Sequence, residues 1–127
     1  MTKSIGFDPS SESTQGNVIG QDPVDLNHLS EFTLGDRSVQ KRILKTFKRQ
    51  SSIDLQKLSK SKTIEDWREA AHSLKNSASG IGAWHVVRDA ETALQLMRDQ
   101  LDLEIMRILV ARVEEANGFI EKILESN

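Results

Sequence analysis

The chain is 127 residues long and carries 17 Lys and Arg, 19 Asp and Glu, three His and no Cys. That is the size of one domain, and it excludes disulfides, thiolate chemistry and Cys-based zinc sites. A net charge of -2 gives no bias towards nucleic acid or anionic lipid. No apolar run approaches the ~20 residues of a membrane span and no secretory pattern opens the chain, so a cytoplasmic protein that engages neither nucleic acid nor membrane is expected.

Residues 1–21 are rich in Ser, Gly, Gln and Thr without apolar period, and read as a flexible N-terminal leader to a single domain spanning 22–127. Asp22 and Pro23 suit a helix start, the first as cap and the second where its missing N–H does no harm. A short first helix then reaches about Thr33, presenting Leu26, Leu29 and Phe32; Gly35 ends it and Asp36 caps the next. The second helix, about 37–59, carries Val39, Ile43, Leu44, Phe47, Leu55 and Leu58. The third begins at Thr63, with Asp66 three residues on as a weak capping box. Its apolar positions Ile64, Trp67, Ala71, Leu74, Ala78 and Ile81 follow a 3-4-3-4-3 spacing. The fourth, about 83–98, shows Val87, Ala90, Leu94 and Met97. The fifth, about 102–125, repeats the helical period through Met106, Leu109, Val113, Ala116, Ile120 and Ile123. No strand pattern competes. Short connections make sequential helices antiparallel neighbours, so the expected fold is an all-α antiparallel four-helix bundle with a short additional N-terminal helix, monomeric because both amphipathic seams can close within one chain.

The third helix carries the chemistry. At about 100° per residue, His72, Lys75, Asn76 and Ser79 share a face roughly 120° from the centre of the apolar stripe. His72 is thus expected on the flank of the bundle, with Lys75 and Asn76 one turn away and Ser79 two turns along. Ala71, Ser73, Ser77, Ala78, Gly80 and Gly82 surround it with small side chains, which leaves an imidazole uncovered. A neutral imidazole, with an ordinary pKa of about 6.5, keeps a lone pair on one ring nitrogen at neutral pH and can attack a phosphoryl group without a separate base. The Lys75 ammonium is placed to balance phosphoryl oxygens, and Asn76 and Ser79 to add hydrogen bonds. No P-loop, Gly-rich nucleotide loop or Mg²⁺-binding carboxylate cluster is visible, so phosphate must come from another protein, not from ATP.

The stretch from Ala71 to Gly82, Ala-His-Ser-Leu-Lys-Asn-Ser-Ala-Ser-Gly-Ile-Gly, resembles the signature of histidine-containing phosphotransfer (HPt) domains: His-x-Leu-Lys-Gly, then small residues and a Gly ten positions after the His. Val24-Asp25-Leu26, Phe32-Thr33-Leu34-Gly35-Asp36 and Asp66-Trp67 resemble the flanks of that family, and the likeness covers about residues 22–125. One departure is Asn76, where the family most often has Gly. The resemblance implies that His72 is the phosphorylated residue, Lys75 its electrostatic partner and Gly82 the point where the helix ends close to its neighbour. It also implies partners, the receiver domains of response regulators or hybrid histidine kinases. These would dock over this face and near Leu26, Leu29, Phe32 and Ser73. Such a protein is a covalent phosphocarrier, not an enzyme with its own ATP site, and needs no cofactor, Mg²⁺ belonging to the partner receiver.

Two other readings stand beside it. An HPt-like interaction module would bind receivers without being phosphorylated, although such chains generally lack the reactive histidine. A kinase-like enzyme fails on the missing nucleotide site. His28 and His85 read as ordinary surface or edge residues, and the spacing of His72 and His85, with no acidic partner placed for either, leaves no metal site expected. Trp67 reads as core, Trp84 as packing where the third and fourth helices meet, and Asp89, Glu91, Glu114 and Glu115 as a solvated face.

Overall fold

In the computed structural model, which describes residues 22–95 and 103–125, the chain forms helices α1 (Leu26–Phe32), α2 (Arg37–Lys60), α3 (Ile64–Ile81), α4 (Trp84–Gln95) and α5 (Leu103–Glu125). The described residues contain no strand, and no described helix is long and apolar enough to cross a membrane. The leader read over residues 1–21, the last turn of the fourth helix and Met97 lie outside the described residues.

Helices α1, α2 and α3 start where a side chain satisfies unpaired N–H groups. Asp36 accepts from the backbone N–H groups of Ser38 and Val39, and the Thr63 hydroxyl accepts from that of Asp66. At α1 the expectation is corrected: the cap is Asp25, whose carboxylate accepts from the His28 N–H at 3.1 Å, and Asp22 and Pro23 precede the helix. The reason is tertiary. The Asp25 N–H donates to the Gly82 carbonyl at 2.9 Å, and this places Asp25, not Asp22, at the threshold of α1.

Helices α2, α3, α4 and α5 pack in a closed ring, each against the next, and α1 lies against α3. Cross-helix pairs set the directions. Lys48 meets Glu121 and Ser51 meets Asn117 between α2 and α5. Asp89 meets Arg112 and His85 lies near Glu115 between α4 and α5. In both pairs the residue number rises on one helix as it falls on the other, so neighbours are antiparallel, a four-helix bundle.

The core follows the stripes. Trp67, Ala71, Leu74, Ala78 and Ile81 of α3 and Leu109, Val113, Ala116 and Ile120 of α5 are buried, with Leu44, Phe47 and Leu58 from α2. Burying one such large aliphatic or aromatic side chain stabilises the fold by about 1.5–3 kcal/mol. The Trp67 indole N–H, which burial would otherwise strand, donates to the Ala93 carbonyl at 2.7 Å. Ile64 departs from the stripe: as the first residue of α3 it is 43% exposed. Ala70, Val86, Ala93 and Ile105 join the core beyond the positions read from the spacing. Ala71 and Ala78 of α3 and Ala90 and Ala93 of α4 are fully buried in the core of these two packed helices.

Candidate functional site

Helix α3 ends at Gly82, whose φ of 75° and ψ of 29° lie in the left-handed region. The Ala83 N–H reaches back to the Ala78 carbonyl and the Gly82 N–H to that of Ser79, at 2.9 and 3.2 Å, a Schellman ending. A Cβ at Gly82 would lie 2.8 Å from the Asp25 Cβ. Both conformation and crowding therefore require glycine at this position. The ending fixes how far α3 extends and ties its C-terminus to the start of α1.

His72 stands two and a half turns before that ending, with its side chain exposed on the solvent face of α3 in line with Glu65, Arg68, Glu69 and Asn76. Among the described residues its imidazole makes no hydrogen bond or ion pair, and neither do the side chains of Asn76 and Ser79. The residues on its two flanks are both engaged. Ser73 faces α2, and its hydroxyl donates to Asp54 Oδ1 at 2.9 Å. Lys75 faces α4, and its Nζ lies 3.1 Å from Glu91 Oε2. Lys75 is thus tied to a carboxylate, not held in reserve, and Glu91, read as part of a solvated face, is its partner.

Asp54 is a feature that sequence reasoning missed. It is 1% exposed and accepts from Ser73 and from the Gln50 amide at 3.1 Å. It is the one acidic residue of α2, and that isolation in a basic helix is the signal that could have singled it out. Two grooves flank α3 on the α2 side. One, of about 570 Å³, is lined by Asp54, Lys57, Lys60, Asp66, Glu69 and Ser73 among others. The second, of about 400 Å³, has Ile43, Phe47 and Ile81 as its apolar floor and Arg42, Thr46 and Asn76 among its edges.

The expected docking residues separate. Leu26 and Phe32 are 45% and 60% exposed, whereas Leu29 is 2% exposed and belongs to the core. Leu29 is a correction, because α1 is a single short amphipathic helix whose buried side must close the bundle. Ser73, the fourth of them, is half-buried with its hydroxyl turned to Asp54. Leu34, 93% exposed, adds a further apolar side chain at a φ of 54°.

His28 is more than a surface residue. Its ring stacks on Phe32 at 6.3 Å and meets Trp84 edge-on at 5.0 Å. The Trp84 indole in turn donates to Asp25 Oδ2 at 3.0 Å. Burial alone would raise the Asp25 carboxyl, but hydrogen bonds from Trp84 and from the His28 and Asn27 backbone, together with the charge of His28, hold it below the ordinary 3.8. Asp36 is likewise lowered by its bonds from the Val39 N–H and the Ser38 hydroxyl. His85 Nδ1 lies 3.9 Å from Glu115, so an acidic neighbour is present there after all.

An exposed imidazole thus faces solvent from α3 with Arg68 and Glu69 one turn before it and Lys75 and Asn76 one turn after it. Comparisons with the profiles of known protein families, with curated proteins and with solved structures give no match.

Proposed function

We propose that this chain is a phosphorelay intermediate in which His72 accepts a phosphoryl group from a receiver-domain aspartate and passes it reversibly to another receiver. The observation that carries the reading is the exposed His72 imidazole, without a partner among the described residues, inside a twelve-residue stretch that resembles the HPt signature. A ring nitrogen with a free lone pair attacks the phosphorus of the aspartyl phosphate. The N–P bond forms as the P–O bond to the carboxylate breaks, and the aspartate leaves as a carboxylate. Such transfer depends mainly on alignment and charge stabilisation, which a fixed helix and Lys75 would supply. The protein acts as a cytoplasmic carrier with no ATP site of its own and takes its Mg²⁺ chemistry from the receiver.

One observation favours the second reading, a receiver-binding module that is not phosphorylated: Lys75 is already engaged by Glu91. The two separate in a single experiment. Incubation with a phosphorylated receiver should move label to an acid-labile, base-stable site on this chain and lose it in His72→Gln. Label that persists in that variant removes His72 from the reaction, and receiver binding without transfer in either direction establishes the module.

A further inference from the structure

Helix α2 carries eight Lys and Arg residues and one acidic residue, Asp54, in a chain whose net charge is -2. Asp54 is turned inward, so no carboxylate of α2 itself balances the outer face. At about 100° per residue, Arg42, Lys45, Arg49 and Lys60 fall within roughly 60° of one another on the side away from the core, and all four are exposed. Among the described residues none of the four forms an ion pair. Lys48, nearer α5, is the cation of α2 that does, at 2.8 Å from Glu121, and Arg42 exerts only a through-space pull on Asp36. Like charges three and four residues apart, as Arg42, Lys45 and Arg49 are, destabilise a helix, and such a run adds nothing to the solubility of a chain that is acidic overall.

A second feature lies along the same stripe. The groove of about 400 Å³ has the apolar floor Ile43, Phe47 and Ile81, with Arg42 on one side and Asn76, one turn from His72, on the other. Cations beside an apolar recess match a protein surface that presents carboxylates around a protruding apolar side chain, since arginine and apolar anchors are what protein interfaces concentrate. They match a phosphate backbone less well. A phosphate backbone carries no apolar side chain to fill the recess floored by Ile43, Phe47 and Ile81.

We infer that the α2 stripe and this groove are the docking surface for an acidic protein partner, and that Arg42, Lys45 and Arg49 steer its approach to His72. The inference takes the partner's identity, a receiver domain, from the phosphocarrier reading. Steering by complementary charge raises association rates by about 10- to 1,000-fold and fades with salt.

The test measures association of the full chain with receiver domains by stopped flow, beside labelling of His72 by phosphoramidate, a small donor that needs no docking. The variant R42E/K45E/R49E, all at exposed positions and checked for folding by circular dichroism, should associate about tenfold more slowly at low salt. Added salt should slow the wild type and, by screening the repulsion between the introduced carboxylates and an acidic partner, speed the variant, so that the two rates converge, with phosphoramidate labelling equal in both. An unchanged association rate in the variant overturns the inference and leaves the phosphocarrier reading standing. Salt-dependent binding without phosphoryl transfer keeps the docking surface and removes the phosphocarrier. Tighter binding of a DNA duplex or an anionic-lipid vesicle than of any receiver, lost in the variant, overturns the assignment to a protein partner.

Discussion

The Lys75–Glu91 pair makes the most direct prediction. If the ammonium is to balance oxygens on a phosphorylated His72, it must loosen its hold on Glu91, and that competition has a calculable size. The pair is 3.1 Å apart, with side chains 29% and 50% exposed. Ion pairs as accessible as this contribute about 0.2–1 kcal/mol, or roughly 1.4- to 5-fold in an equilibrium constant. Glu91→Gln should therefore raise the equilibrium yield of phosphorylated His72 by a factor in that range when the chain is incubated with phosphoramidate and quantified by phosphate-affinity electrophoresis. The gain should shrink at high salt, which screens exposed charges. Lys75→Gln should lower the yield, and in its presence Glu91→Gln should have no further effect. A gain from Glu91→Gln that survives in the Lys75→Gln background, or a fall in yield in place of a rise, would refute the idea that Glu91 holds back the cation.

Further outcomes follow from the packing around the site. Gly82→Ala must place a side chain at a φ of 75° and 2.8 Å from the Asp25 Cβ; it should destabilise the fold by about 1–3 kcal/mol from the conformation alone, read by urea denaturation, and a loss under about 0.5 kcal/mol would contradict the geometry. Ser73→Ala leaves the buried Asp54 with one hydrogen-bond donor fewer and should cost about 1–3 kcal/mol, while phosphoramidate labelling of the folded variant stays close to wild type. The Asp25 carboxyl is held below 3.8 in the folded chain, so its contribution is complete above that value and is lost as pH falls through the lower folded value. Asp25→Asn keeps a cap acceptor but removes the titration, and its stability should fall less steeply than that of the wild type below about pH 4; identical acid profiles would argue against the shift.

Much of this fold is legible in the sequence because helices bury one stripe each. The spacing through Trp67, Ala71, Leu74, Ala78 and Ile81 places His72 on the opposite flank by arithmetic alone, and the ring is indeed exposed. Asp36, Thr63 and Gly82 mark helix ends by local chemistry that needs no tertiary contact. What escapes is whatever depends on the register between helices. Asp22 and Asp25 both satisfy the rules for a cap, and the choice is made by a carbonyl 57 positions along the chain, that of Gly82. Glu91 resembles any solvated acid until α4 is laid against α3 and brings it to Lys75. Leu29 sits on a helix too short for its period to separate a buried side from an exposed one. Asp54 looks like one more polar residue of α2 until Ser73 is seen to donate to it.

The two contacts that bracket His72 lie on opposite sides of its helix, Ser73 to Asp54 of α2 and Lys75 to Glu91 of α4. A twist of α3 about its own axis in either direction stretches one of them. Like a mast between two stays, the helix has its bearing set during folding, and with it the direction of the face that carries His72. Asp54 of α2 and Glu91 of α4, neither of which bonds to His72, thereby help to set which way that face looks.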